Sequence, residues 1–133
     1  MIFLSISDRD TCALLWLASD QKKLSLLAKK EIEKHGRTLF VSSISAFEIA
    51  IKCRNKKLEL PFPSLDWFSE ALDFHGIREI PMTSNIAISA VLLPPLHNDP
   101  CDRIIIATAQ LNAMKIITRD PLISRYKQAD VLW

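Results

Sequence analysis

Four carboxylates, Asp10, Glu48, Asp102 and Asp120, stand at comparable points of the chain, and the first three each mark the polar tip of an otherwise uncharged segment. Nine uncharged residues follow Asp10, and Glu48 is the only charged residue in the segment 38–51. A run of eleven uncharged residues begins two positions after Asp102, and Asp120 follows the predicted fourth strand, residues 115–118. A lone carboxylate on an apolar face is costly unless something compensates it, so these four acids are our candidate functional residues.

Carboxylates that meet in one site favour a particular chemistry. Two unit charges about 4 Å apart repel by on the order of 4 kcal/mol at an effective dielectric constant near 20, so cations must offset the repulsion. Hard divalent ions with oxygen ligands suit this role, and the lack of nearby histidine or cysteine ligands favours Mg²⁺ or Mn²⁺ over zinc. Such ions activate water and stabilise charge on a phosphodiester. The acids therefore indicate metal-dependent hydrolysis of a phosphodiester.

Each acid also has a purely structural interpretation. Ser45-x-x-Glu48 matches a capping box, and Asp99 is better explained as a helix N-cap than as a metal ligand. Asp8 competes with Asp10 as the acid that ends the first strand. In the structural interpretation, Asp10 caps the first helix and Asp120 caps a short final helix. Asp102 is then simply an acid that the positive dipole at a helix N-terminus favours. The functional interpretation rests on all four acids standing at corresponding ends of strand–helix units.

The chain alternates between strand-like and helix-like segments. Strands are predicted at residues 2–7, 38–42, 77–81, 115–118 and 130–132. Helices are predicted at residues 11–18, 24–35, 44–54, 65–74, 85–92 and 99–112. This alternation predicts an α/β fold with a parallel sheet and helices on both faces, whose binding crevice lies beyond the carboxyl ends of the strands.

The only two glycines of the chain, Gly36 and Gly76, each follow a histidine and precede a β-like run. We expect both glycines to be left-handed caps just past a helix end, with His35 and His75 favoured by the C-terminal helix dipole.

The composition bounds the class of protein. The 133 residues fit a single domain, here residues 1–133, and the net charge of +2 permits nucleic acid as a partner without demanding it. Three scattered cysteines without a CxxC pair suit a reducing cytosol, and the first apolar stretch is too short for a signal peptide or a membrane span. We therefore expect a cytoplasmic protein with no membrane association. The mean hydropathy of +0.14 is high for so small a chain, which indicates a dimer.

Basic and aromatic side chains receive structural interpretations at this point. Trp16 is expected in the core or at a dimer interface, and not as a platform for base stacking. The lysines and arginines near the end of the third helix are interpreted as a solvated helix end, with an RNA-contacting patch as the alternative. These basic groups are Lys52, Arg54, Lys56 and Lys57 at that end, and Lys22, Lys23, Lys29, Lys30 and Lys34 on a solvated face earlier in the chain.

Five motifs, in order, resemble those of the PIN-domain family, specifically toxins of the VapC type. They are DTCALLW at residues 10–16, SISAFEIAIK at 43–52 followed by KLELP at 57–61, HNDPCDR at 97–103, IITRD at 116–120, and the terminal VLW at 131–133. The resemblance spans essentially the whole chain. Its departures are Cys12 where a histidine is common, Cys101 where an aromatic is common, and Asn112-Ala113 where a glycine is usual, although asparagine also tolerates a left-handed cap.

The resemblance implies a three-layer α/β/α sandwich with a central, mainly parallel sheet. It implies a Mg²⁺- or Mn²⁺-dependent endoribonuclease that acts as the toxin of a toxin–antitoxin pair, with RNA as substrate. Asp10, Glu48, Asp102 and Asp120 are then the metal ligands, with Thr118 assisting and Asp99 as a further candidate. A homodimer held inactive by a small antitoxin is also implied.

Two rival functions remain to be weighed. A signalling receiver domain has an acidic pair after its first strand, here Asp8 and Asp10, but it needs a lysine after a late strand, and Lys115 precedes the fourth strand. The other rival is a catalytically inactive PIN-like module that binds RNA or antitoxin. The presence of all four acids argues against an inactive module.

Overall fold

The structure, a computed structural model, describes residues 2–4, 13–36, 38–96 and 98–133, with only the backbone of residues 2–4. The strands are β1 (Ile2–Leu4), β2 (Leu39–Ser42), β3 (Arg78–Ile80), β4 (Lys115–Ile117) and β5 (Val131–Leu132). The helices are α1 (Ala13–Ser19), α2 (Leu26–Lys34), α3 (Ser43–Arg54), α4 (Ser64–His75), α5 (Ser84–Leu92), α6 (Pro100–Leu111) and α7 (Pro121–Ser124), with a short 3-10 turn at Gln21–Lys23.

The five strands form one sheet in the order β3-β2-β1-β4-β5, and all four pairings are parallel. The α/β fold with a parallel sheet is therefore confirmed. From β1 the chain moves outward through β2 to β3, and it then crosses back to β4 and β5 on the other side. The strand order thus reverses at β1, and the crevice outside the carboxyl ends of β1 and β4 is where such sheets bind ligands.

Alternate side chains of β2, β4 and β5 enter two separate cores. Leu39, Val41 and Ile117 belong to a core that includes buried residues of α1, α2, α3 and α4. Phe40 and Ile116 point the other way, into a core built with α5, α6 and α7. Because successive residues of a strand face opposite sides of the sheet, the two cores lie on opposite faces and cover both sides of these short strands. This arrangement is the expected three-layer α/β/α sandwich.

The predicted elements are all found where the structure describes them, with ends that differ by a few residues. The predicted continuation of β1 over residues 5–7 and the predicted start of the first helix at residues 11 and 12 lie outside the described residues. In the part of the chain that is described, no helix is long and apolar enough to cross a membrane.

Three helices end in the same hydrogen-bonded turn, in which a left-handed residue directs two amides back to the helix. After α4 the left-handed residue is Gly76 (φ 64°), and the amide of the next residue, Ile77, donates to Leu72 O at 2.9 Å. After α3 the equivalent residue is Lys56 (φ 58°), and after α6 it is Ala113 (φ 52°). These are Schellman caps, which satisfy carbonyl groups that the last turn of a helix leaves unbonded.

The glycine prediction is therefore correct for Gly76 and wrong for Gly36, because left-handed glycine occurs only at Gly76 among the described residues. Asn112 does not occupy the left-handed position after α6, since it has φ −105° and Ala113 is the left-handed residue. We expected the C-terminal helix dipole to favour the charged form of His75. Burial instead lowers the pKa of His75 and so favours the neutral ring. His35 instead lies 3.4 Å from the Glu31 carboxylate, one turn earlier on α2.

Ala113 offers a direct test of the cap of α6. An L residue with a side chain pays about 1–2 kcal/mol in the left-handed region, and glycine does not. We expect Ala113→Gly to raise the free energy of unfolding by about 0.5–1 kcal/mol after the larger entropy of the unfolded glycine is subtracted. Urea denaturation measures the change. The matched control is Ala50→Gly on the exposed side of α3, which should lower stability by about 1 kcal/mol. A loss of stability in Ala113→Gly would contradict the left-handed conformation.

Candidate active site

The register of the sheet brings the elements that carry the acids to one edge. Leu4 of β1 pairs with Val41 of β2 and with Ile117 of β4, so the carboxyl ends of the three strands are level. Helix α3 begins directly after β2, and the segment from Thr118 to Asp120 begins directly after β4. Asp10 and its competitor Asp8 lie outside the described residues, so their positions stay predictions.

Glu48 lies in the second turn of α3 with its side chain buried. The N-cap of α3 is Ser42, whose Oγ accepts a hydrogen bond from the Ile44 amide at 3.1 Å. Ser45 is therefore the third residue inside the helix, and the capping-box interpretation of Ser45 and Glu48 is wrong. Glu48 is only 4% exposed, and it lies beside the buried Ser45 on the same helical face. Glu48 is therefore buried without serving as part of a helix cap.

Asp99 and Asp102 occupy the first turn of α6 in two different roles. Asp99 is the N-cap, and its Oδ1 accepts hydrogen bonds from the amides of Cys101 (2.9 Å) and Asp102 (3.4 Å). The prediction that Asp99 caps this helix, with Pro100 at the first helical position, is confirmed. Asp102 is 1% exposed in the same turn, where the positive end of the helix dipole favours a carboxylate. The dipole lowers the cost of burying Asp102, but an acid that served only the dipole could remain at the surface.

Asp120 and Thr118 are held to each other by a short turn after β4. The Asp120 amide donates to Thr118 Oγ1 at 3.1 Å, and Asp120 Oδ1 accepts from the Leu122 amide at 2.9 Å. Asp120 is thus the N-cap of α7, as its structural interpretation predicted. Both side chains are 2% exposed. A carboxylate has two oxygens, so capping through Oδ1 is compatible with a second role for Asp120.

One pocket brings acids from different helices together. Glu48 and Ile51 of α3 line it with Asp99, Pro100 and Cys101 at the start of α6, around a volume of about 420 Å³. Within residues 13–36, 38–96 and 98–133, no group of three or more His, Cys, Asp or Glu side chains could hold a metal ion. Glu48, Asp102 and Asp120 are therefore not gathered into such a group, and the four-carboxylate cluster, whose fourth member Asp10 lies outside the described residues, stays a prediction. The donors that are described at this edge are carboxylates and a threonine hydroxyl, which suit Mg²⁺ or Mn²⁺.

The sequence analysis assigned the wrong role to Ser45, as part of a capping box, and no role to Arg103. The Ser45 hydroxyl is fully buried on the Glu48 face of α3 and makes no hydrogen bond to any other described residue. A serine between apolar residues carries little signal in a sequence. Arg103, next to Asp102, was noted only as part of a motif.

The Arg103 guanidinium ties the end of α5 to the start of α6. Its Nε donates to Ala90 O at 3.0 Å, and its two terminal nitrogens donate to the carbonyls of Val91, Leu93 and Pro94 at 2.7–3.1 Å. Nη1 also donates to the hydroxyl of the buried Tyr126 at 3.1 Å. A planar guanidinium has five N–H donors in a fixed fork, which suits the carbonyls that the last turn of a helix leaves unbonded. Arg103 thereby fixes the backbone beside Asp99 and Asp102.

Comparisons with known proteins agree with this fold and edge. The model of the PIN domain family matches residues 9–129 of the chain. The chain therefore belongs to the PIN domain family.

Two individual proteins are similar to this chain. It is 32% identical over 112 residues to Ribonuclease VapC22 of Mycobacterium tuberculosis (strain ATCC 25618 / H37Rv), an alignment that covers 84% of each chain. Among solved structures, a chain of a toxin–antitoxin complex from Klebsiella pneumoniae superposes with a TM-score of 0.62 over 99% of this chain and 95% of that chain. The sequence identity in that superposition is 21%, so this likeness concerns the fold alone.

Arg103 can be tested by a stability measurement. We expect Arg103→Met to lower the free energy of unfolding by about 3 kcal/mol, because several carbonyl acceptors lose a charged donor together. Arg103→Lys should recover little, since an ammonium group cannot reproduce the planar fork. Chemical denaturation measures both changes, and the exposed Arg125→Met is the matched control with an effect within about 0.5 kcal/mol. Equal stability of the Arg103→Lys variant and the wild type would show that the fork geometry is unimportant.

Proposed function

We propose that this protein is a metal-dependent endoribonuclease that hydrolyses phosphodiester bonds of RNA and acts as the toxin of a toxin–antitoxin pair. The observation that carries the proposal is the burial of Glu48 and Asp102 on α3 and α6, two helices that line one pocket. Membership of the PIN domain family and 32% identity to a protein named Ribonuclease VapC22 support the same function. The whole chain, residues 1–133, then serves as one nuclease domain.

We assign the binding of Mg²⁺ or Mn²⁺ to Asp10, Glu48, Asp102 and Asp120. The carboxylate character of this set supports the assignment, because hard divalent ions prefer oxygen ligands and offset the repulsion among buried acids. When bound, such an ion supplies activation of water and stabilisation of charge on the scissile phosphate. Glu48 and Asp102 come from rigid helices whose first turns are capped, so they bring preformed positions to the site.

Thr118 and Asp99 take supporting roles in this proposal. The 3.1 Å hydrogen bond between Thr118 Oγ1 and the Asp120 amide orients the Asp120 carboxylate. Asp99 holds the first turn of α6 and lines the same pocket as Glu48, which makes it a positioning residue and a candidate outer ligand.

The activity is tested by removing the charge of a buried acid without changing its shape. We expect Asp102→Asn and Glu48→Gln each to lower cleavage of labelled single-stranded RNA more than about 100-fold, because each removes a proposed metal ligand. EDTA should abolish cleavage by the wild type, and added Mn²⁺ should restore it. The matched control is Asp66→Asn, an exposed acid of α4, which should retain wild-type activity.

Full Mg²⁺-dependent cleavage by Asp102→Asn would contradict the proposed site. The inactive-module alternative predicts a different result, namely RNA binding without cleavage and no heat of Mn²⁺ binding in calorimetry. Thermal denaturation of each variant checks that loss of activity is not loss of fold.

We further propose that the protein pairs with a small antitoxin and forms a homodimer. The likeness in fold to a chain of a toxin–antitoxin complex supports a protein partner of this kind. For the homodimer, α5 is the strongest candidate surface, because this helix contains no charged residue and exposes Val91 (76%) and Leu92 (78%) beside Ile88 (61%). An uncharged helix with an apolar outer face is poorly solvated, and pairing with its own copy about a two-fold axis would cover it.

The dimer prediction is tested by placing a charge on this face. We expect Val91→Glu to convert a dimer into a monomer in size-exclusion chromatography with light scattering, because two glutamates would meet near the symmetry axis. Leu26→Glu, at an equally exposed leucine of α2, is the control that should remain a dimer. A wild-type protein that stays monomeric at every concentration measured would contradict the homodimer.

A further inference from the structure

An open groove of about 750 Å³ collects positive charge on the side of the molecule where α1 and α3 end. Five of the described residues that line it are basic and none of them is acidic. The groove residues, called here the basic groove, are Leu15, Trp16, Lys22, Lys23, Lys52, Lys57, Leu58 and Arg119.

The cations of the basic groove come from three distant parts of the chain. Lys22 and Lys23 belong to the 3-10 turn after α1, Lys52 and Lys57 to the end of α3 and the turn after it, and Arg119 to the loop after β4. From the sequence, Lys52 and Lys57 were interpreted as part of a solvated helix end, and Lys22 and Lys23 as part of a solvated face. Convergence of like charges does not stabilise the fold, since they repel one another, and a bound polyanion would relieve that repulsion.

Two residues of the basic groove, Lys52 and Arg119, lie next to the proposed acids along the chain. Lys52 follows Glu48 by four residues on α3, so the two side chains lie one turn apart on the same helical face. Arg119 lies between Thr118 and Asp120 in the loop that begins after β4. A strand of nucleic acid that lies along the groove therefore has neighbouring phosphates beside the acids.

Trp16 forms a wall of the groove and is not free to stack on bases. It is 8% exposed, its ring lies 5.6 Å from that of Trp133, and Arg119 Cζ stands 5.1 Å from its centroid. The cation–π contact orients the Arg119 guanidinium without neutralising its charge. The groove is thus equipped to contact phosphates and not to read bases.

We propose that the basic groove binds the phosphate backbone of single-stranded RNA next to the cleavage site, independently of base sequence. This inference rests on the proposed ribonuclease function and adds the surface that holds the substrate. RNA is favoured over an acidic polypeptide because a protein partner also needs a substantial apolar contact. Among the described lining residues, the apolar ones are the buried Trp16 and the half-buried Leu15 and Leu58.

The test removes two adjacent exposed charges and measures RNA binding. Lys22→Gln/Lys23→Gln should weaken the binding of a fluorescent single-stranded RNA on the order of 10-fold in anisotropy titrations with EDTA present. The slope of log K against log salt should fall in magnitude by about 1.4, because each lost contact with a single strand contributes about 0.7. Adding Lys57→Gln should weaken binding further. The matched control, Lys29→Gln/Lys30→Gln, removes an adjacent lysine pair from α2 outside the groove lining and should bind within about twofold of wild type.

The outcomes separate this inference from the proposed function. Unchanged affinity and salt slope in Lys22→Gln/Lys23→Gln would overturn the groove assignment, even if the wild type cleaves RNA. Weakened binding in this variant but not in the control would support the groove, even if the wild type proves unable to cleave. Poly-glutamate is titrated in parallel. If Lys22→Gln/Lys23→Gln loses binding of poly-glutamate but binds RNA as the wild type does, the groove is assigned to an acidic polypeptide and the inference is overturned.

Discussion

A carboxylate is expensive to bury, and this fold buries Glu48 and Asp102 almost completely at one edge of a parallel sheet. Neither position is needed to cap its helix, because Ser42 caps α3 and Asp99 caps α6. The positive end of α6 offsets part of the cost for Asp102. The two acids are thus buried without serving as helix caps, and we propose that they bind a divalent cation.

The supporting structure works mainly through hydrogen bonds at the ends of helices. The polar caps fix where α3, α6 and α7 begin, and Schellman turns fix where α3, α4 and α6 end, even though Lys56 and Ala113 must accept a left-handed backbone for this. Arg103 adds a long-range connection by bonding the last carbonyls of α5 and the loop before α6. Acids on such restrained segments lose little freedom when they bind an ion or a substrate, which favours affinity and rate alike.

The predictable features of the fold were those encoded by residues close together in sequence. The alternation of apolar runs gave the order of strands and helices, Asp99-Pro100 and Asp120-Pro121 gave two helix starts, and Gly76 gave one helix end, because caps depend on local backbone geometry. Local patterns failed where two residues competed for one role. Ser42, and not Ser45, caps α3, and Ala113, and not Asn112, is left-handed. The sequence cannot decide such a competition, because the packing of the whole helix sets the register of its ends.

By itself the sequence determined the α/β class, the family and the positions of the acids, since each depends on residue type and spacing along the chain. Tertiary structure alone decided that Glu48 is buried without a capping role, that Arg103 bonds carbonyls nine to thirteen residues away, and that lysines of the turn after α1 share a groove with Arg119. These features depend on which segments the sheet order brings together. Contacts of that kind arise from the packing of helices on both faces, and no local pattern of residues encodes them.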